Sequence, residues 1–196
     1  MQTRGYLPHK RNLRNMKIDK KLTQGILNWT LKNNKQPYFV NPGHSSAGRC
    51  VGVPNMEKMY NFYYSTGFPI HDLIRIDELI VKKYKLENCF KEGVFGIFLS
   101  YSEKGHIVQK HKDPVNIADH HVVRFNFFLS KPEEGGLSII NREVVNVDEN
   151  EVFICEASNY FHTSQEVKGN KPRIVLSFGY YLNNQELKNI RENDYR

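Results

Sequence analysis

Four side chains in the second half of the chain have types and spacing that could do chemistry together. They are His111 and Asp113 in Gln109-Lys110-His111-Lys112-Asp113-Pro114, His162 in Tyr160-Phe161-His162-Thr163, and Arg173 in Lys171-Pro172-Arg173-Ile174. Two imidazoles and one carboxylate on one face of a metal leave its other positions open, which suits Fe(II) that must bind a chelating cosubstrate and oxygen. An arginine beside such a site offers a planar, permanently charged fork to an acid. The four residues together point to oxygenase chemistry.

His-x-Asp alone is a weak signal, since a chain with this many histidines and aspartates meets it by chance about 0.3 times. Spacing supplies the weight. Residues two apart in a strand share a face, so His111 and Asp113 can converge on one ion while Lys112 points away. Alternating apolar runs at Val94 to Leu99 and Val122 to Leu129 predict strands on both sides of the motif. Further short strands are predicted at Leu137–Ile140, Glu143–Val147, Glu151–Glu156 and Arg173–Leu182. Breakers at Lys131-Pro132-Glu133-Glu134-Gly135-Gly136, Asp148-Glu149-Asn150 and Gly169-Asn170-Lys171-Pro172 separate them. Many short strands at close spacing indicate a sandwich or jelly roll, in which a ligand some fifty residues on can return to the same end of the barrel.

Residues 94–182 resemble the double-stranded β-helix of the Fe(II)- and 2-oxoglutarate-dependent oxygenases. The resemblance implies a mainly β, cupin-like jelly-roll core with N-terminal α-helices packed on one sheet. It implies His111, Asp113 and His162 as iron ligands and Arg173, eleven positions after the distal histidine, as the anchor of the 2-oxoglutarate C5 carboxylate. Oxygen would be the second cosubstrate, with ascorbate a candidate reductant. The reaction implied is hydroxylation of a substrate C–H bond with release of succinate and carbon dioxide.

Among subfamilies, the layout is most similar to the oxygen-sensing prolyl hydroxylases. Tyr101, ten residues before His111, resembles their approach to the metal motif, and Phe127-Phe128-Leu129-Ser130 resembles their following strand. Phe128 stands where those enzymes have a tyrosine that helps hold the cosubstrate acid. Asn126 or Arg124, on the same face by period two, is then the candidate to replace the lost donor. Nucleic-acid demethylases carry a second arginine six positions after the first, where this chain has Gly179; plant-type enzymes place a serine at Val175; collagen-type prolyl hydroxylases use lysine at Arg173. Asp113 argues against the halogenating members, which lack the carboxylate. A peptidyl prolyl substrate is the leading expectation. The alternatives are the same chemistry on a free amino acid, small metabolite or nucleic acid, and a non-catalytic β-barrel binding module with a basic arm.

The rest of the chain must position these residues. A length of 196 residues suits one domain, residues 1–196. Residues 1–90 are expected to be a helical support, with helices following Asp19, a candidate N-cap, and Pro69. Trp29 lies on the first apolar stripe and is expected in the core. Residues 41–68, Gly/Ser-rich and then rich in aromatics, form a candidate substrate lid. Cys50, Cys89 and Cys155 have no ligand-like spacing, which favours a reducing, cytoplasmic setting. No apolar leader or 18-residue apolar stretch predicts secretion or membrane insertion. The net charge of +7 is partly gathered in Arg4, Lys10, Arg11, Arg14, Lys17, Lys20 and Lys21, but no nucleic-acid motif accompanies this arm, which is read as solvated.

Overall fold

The computed structural model of the protein describes residues 16–194 apart from 42, 44, 47, 54–60, 63 and 95. In chain order, α1 (Lys20–Asn33) is followed by β1 (Ser45–Ser46), β2 (Arg49–Val53), α2 (Ile70–Tyr84), β3 (Phe90–Lys91), β4 (Ile97–Ser102) and β5 (Ile107–Val108). Then come β6 (His120–Ser130), β7 (Glu134–Gly135), β8 (Ser138–Ile140), β9 (Glu143–Val145), β10 (Phe153–Cys155), β11 (His162–Ser164), β12 (Val167–Lys168), β13 (Arg173–Asn183) and α3 (Asn184–Asp194).

Helix α1 begins where its sequence says it should: the Asp19 carboxylate accepts from the Lys21 amide at 2.9 Å and caps one of the amides that lack a helical partner. Helix α2 follows Pro69 and stops where Lys85 turns left-handed at φ 58°. Its buried stripe, Ile70, Leu73, Ile76, Ile80 and Tyr84, recurs at three to four residues and faces the large sheet. Trp29 of α1 is buried among Tyr38, Phe39, Phe62 and Phe68, and its indole donates to the Thr66 carbonyl at 3.1 Å. Phe62, Tyr64 and Phe68 are the described aromatic part of the candidate lid; residues 42, 44, 47, 54–60 and 63 of that segment lie outside the described residues. So do Arg4, Lys10, Arg11 and Arg14 of the basic arm. No helix among the described residues is long and apolar enough to cross a membrane.

The large sheet runs β10-β6-β13-β4-β2, antiparallel throughout, with β3 added at the far end of β13. Its centre is the pair β6 and β13, whose residues are buried along nearly their whole length. One face of each strand packs on the helices: Val123, Phe125 and Phe127 of β6 and Leu176, Phe178 and Tyr180 of β13 join the cluster that contains the α1 and α2 stripes. The other face looks toward the smaller sheet β11-β8-β9. This is the mainly β double-stranded β-helix with helices on one sheet that the sequence predicts. Strand β4 begins three residues later than expected, and α3 was not anticipated.

Candidate active site

The strand parity of the large sheet selects what reaches its inner face. Arg124 and Asn126 of β6, Arg173 and Val175 of β13, and Phe98 and Ser100 of β4 line a cavity of about 410 Å³ between the two sheets. Small-molecule sites commonly have such volumes.

His111 lies beyond β5, and one antiparallel bridge joins it to His162, the first residue of β11. The His111 amide donates to the His162 carbonyl at 3.0 Å and the reverse bond is 2.9 Å. The two rings are 4.2 Å apart between centroids. The Asp113 amide, two residues on, donates to the Ala157 carbonyl at 2.9 Å, which fixes its side chain on the same side. Asp113 Oδ1 then stands 3.6 Å from His111 Nε2 and 3.5 Å from His162 Nε2. One donor atom from each residue lies within 4.8 Å of the others.

The remaining ring nitrogens settle how the imidazoles face the site. Nδ1 of His111 is 2.7 Å from the Gln109 carbonyl and Nδ1 of His162 is 3.3 Å from that of Tyr160. A carbonyl can only accept, so both Nδ1 atoms carry a proton and both Nε2 atoms point inward, the usual outer support of a metal-binding histidine. Burial would lower the basicity of His162, but Asp113 and Cys155 raise its pKa to about 10. Burial likewise works against the Asp113 carboxylate, yet His162 and Arg124 hold it well below the ordinary range. The point where the three side chains meet favours positive charge, and a His₂-carboxylate donor set of this kind fits Fe(II) with open positions.

Across the cavity, Arg173 is 6% exposed. Its Nε donates to the Gly136 carbonyl at 2.8 Å, Nη2 to Ser138 Oγ at 3.0 Å and Nη1 to Ser100 Oγ at 3.4 Å, and the guanidinium lies over the Phe128 ring at 5.6 Å. None of these partners is an anion, and among the described residues no carboxylate pairs with it. Its burial lowers the pKa to about 10, still protonated at neutral pH.

No protein-family model matches the sequence, and no curated protein matches it. Solved structures do. A viral collagen prolyl hydroxylase of Paramecium bursaria chlorella virus-1, in complex with 2OG, aligns with a TM-score of 0.55 at 11% identity over 88% of this chain and 96% of that one. A prolyl hydroxylase from Trichoplax adhaerens, bound to a peptide of a hypoxia-inducible factor degradation domain, gives 0.53 at 15% identity over 85% and 80%. HygX from Streptomyces hygroscopicus, with nickel and 2-oxoglutarate bound, gives 0.51 at 12% identity over 81% and 78%. The chain has the fold of the 2OG-Fe(II) oxygenases.

Within this oxygenase fold, His111, Asp113, His162, Arg173 and Asn126 all come to one cavity. Tyr101 does not. It alternates with Ser100 and Ser102 on β4, so its ring joins the core under the helices and its hydroxyl bonds Glu103 at 3.1 Å. Tyr101 thus lies outside the cavity, and Ser100, its neighbour, is the β4 residue whose side chain bonds the Arg173 guanidinium. Asn126 lines the cavity, its amide donating to the Arg124 carbonyl at 3.3 Å. Ser138 and the Gly136 carbonyl were missed because neither carries a local signal. Glu92, which meets Arg124 in the cavity wall, was missed because it is 81 residues away from Arg173 and in no motif.

Proposed function

We propose that the protein is an Fe(II)- and 2-oxoglutarate-dependent dioxygenase that hydroxylates a C–H bond, with a prolyl side chain in a peptide as its substrate class. The observation that carries this reading is the buried, carboxylate-free Arg173 opening on the same cavity as His111, Asp113 and His162. A buried guanidinium without an anion is costly, so the cavity is built for an acid to complete it. A diacid that chelates at one end and pairs with Arg173 at the other satisfies both halves of the site. The peptide preference is supported by the motif layout around His111 and by the peptide bound to the Trichoplax enzyme of the same fold.

Bound iron and 2-oxoglutarate would supply the oxygen activation, with succinate and carbon dioxide as coproducts. The chain's own contribution is placement. His111, Asp113 and His162 would hold the ion, and Arg173 would pair with the far carboxylate of the cosubstrate. Phe128, Val175 and Phe153 close the wall beside the guanidinium and exclude water from it. No side chain is needed as a general base.

The test is an anaerobic titration of metal-free protein with Fe(II) and 2-oxoglutarate, following the visible charge-transfer band. The band is expected in wild type, absent in His111→Ala, and shifted to higher cosubstrate concentration by at least tenfold in Arg173→Ala. A folded wild-type protein without the band overturns the reading. Succinate release stimulated by prolyl peptides, and not by free amino acids, then tests the substrate class.

A further inference from the structure

Asp113 presents two oxygens, and the structure assigns them different partners. Oδ1 faces both histidine Nε2 atoms, while Oδ2 is held by Nε of Arg124. The guanidinium is held a second time: its Nη2 donates to Glu92 Oε2 at 3.1 Å. Glu92 is itself fixed, its Oε1 accepting from the Val94 amide at 2.7 Å and its amide donating to the Gly179 carbonyl at 3.0 Å. Arg124 is 8% exposed and Glu92 3%, and the Phe98 ring covers the guanidinium at 4.9 Å.

The space for this bridge comes from the neighbouring strand. Gly179 of β13 sits directly opposite Arg124 of β6 in the ladder. A Cβ there would come within 2.8 Å of Arg124 Nη1 and 3.0 Å of Glu92 Cβ. The glycine is required for room, since its backbone is not in the left-handed region.

We propose that Arg124 is a positioning residue that holds Asp113 as a one-oxygen metal ligand, and that Glu92 sets the charge of the ligand set through it. This rests on the metal site proposed above. An arginine on the ligand carboxylate fixes its orientation but cancels its charge, which would weaken attraction for a cation. Glu92 restores one negative charge to the trio. Supporting groups of this kind typically change metal affinity 10- to 100-fold when altered.

Charge and position can be separated experimentally with Co(II) as the probe, added to metal-free protein. Affinity is read by calorimetry and coordination by the visible d–d bands. Glu92→Gln leaves the trio neutral and is expected to weaken Co(II) at least tenfold with the wild-type bands. Arg124→Gln leaves it doubly negative and frees Oδ2, so the bands change toward higher coordination. Combining Glu92→Gln with Arg124→Gln returns the charge to that of wild type: affinity is expected back within about threefold, with the bands still altered. Gly179→Ala disturbs the bridge without changing charge and is expected to alter the bands, which keeps the test open if Arg124→Gln does not fold. Wild-type affinity and bands in Glu92→Gln and Gly179→Ala would overturn this inference and leave the oxygenase reading intact. Wild-type protein that binds no Co(II) overturns both.

Discussion

Arg173 shows how much one residue can say when its partners are considered with it. A buried arginine in a structural role would be met by a carboxylate; this one is met by a carbonyl and two hydroxyls. On the proposed reading its desolvation is borne for a ligand, and an apolar side chain of similar length should be tolerated by the fold. Arg173→Met is expected to unfold in urea within about 1 kcal/mol of wild type while losing 2-oxoglutarate binding. A loss of several kcal/mol would show instead that the guanidinium is a structural brace. At this scale the sequence was legible where the chemistry is local. His-x-Asp sits on a two-residue repeat and can be seen; Ser138 and Glu92 are ordinary residues brought in by pairing, and Tyr101 was misplaced because parity cannot be read without the register.

The elements explain that register. Residues Val175 to Leu182 of β13 pair with β6 in unbroken sequence, but Ile174 pairs with Ser130 and Val175 with Phe128, so Leu129 is an extra residue on β6. Such a bulge is invisible in an apolar run. The turn before β8 was legible, since Gly135 and Gly136 both have positive φ, which glycine adopts without steric cost. It also does work at the site by aiming the Gly136 carbonyl at Arg173. A Cβ at Gly136 would lie 2.5 Å from Pro132 Cγ, so Gly136→Ala is expected to cost about 1–3 kcal/mol in thermal or urea unfolding and to raise the 2-oxoglutarate Kd. Helix α3 was missed because Leu187 and Ile190 are its only buried apolar anchors among many polar residues.

That helix is tied to the chain leading into His162. Arg191 donates from Nε and Nη2 to Glu156 at 2.8 and 2.6 Å, and Asn159 Nδ2 donates to the same carboxylate at 2.9 Å. Burial pushes the Glu156 carboxyl up, but Arg191 and Asn159 outweigh it and leave its pKa lowered. A folded-state pKa below the unfolded one means that this contribution is complete above the unfolded value of about 4.3 and disappears as pH falls through the folded one. Glu156→Gln should therefore lower the melting temperature at pH 7 and converge with wild type in acid. Parallel melting curves at every pH would exclude the ion pair as the cause. Arg191 is half exposed, so the effect is expected to be roughly 0.5–1 kcal/mol.

For the whole molecule, the helices cover one face of the large sheet and the site occupies the other, so cavity and core share β6 and β13 but not their side chains. Occupying the site should then act on global stability only through mass action. Saturation at 100 times Kd corresponds to about 2.7 kcal/mol, so Mn(II) with 2-oxoglutarate is expected to raise the melting temperature and either one alone to raise it less. The fold class was legible from the sequence because alternation, turns and the metal motif all pointed to one architecture. The substrate-facing segments were not, because loops carry little periodicity.

The reciprocal amide bonds between His111 and His162 have a further consequence. The two imidazoles sprout from one rung of backbone, so their bite is set before any ion arrives. A hook made in advance binds quickly and needs no refolding, yet it cannot adapt its grip to reject a competitor. Divalent ions higher in the Irving–Williams order would seat on the same rung, so metal availability would weigh heavily in which of them occupies it.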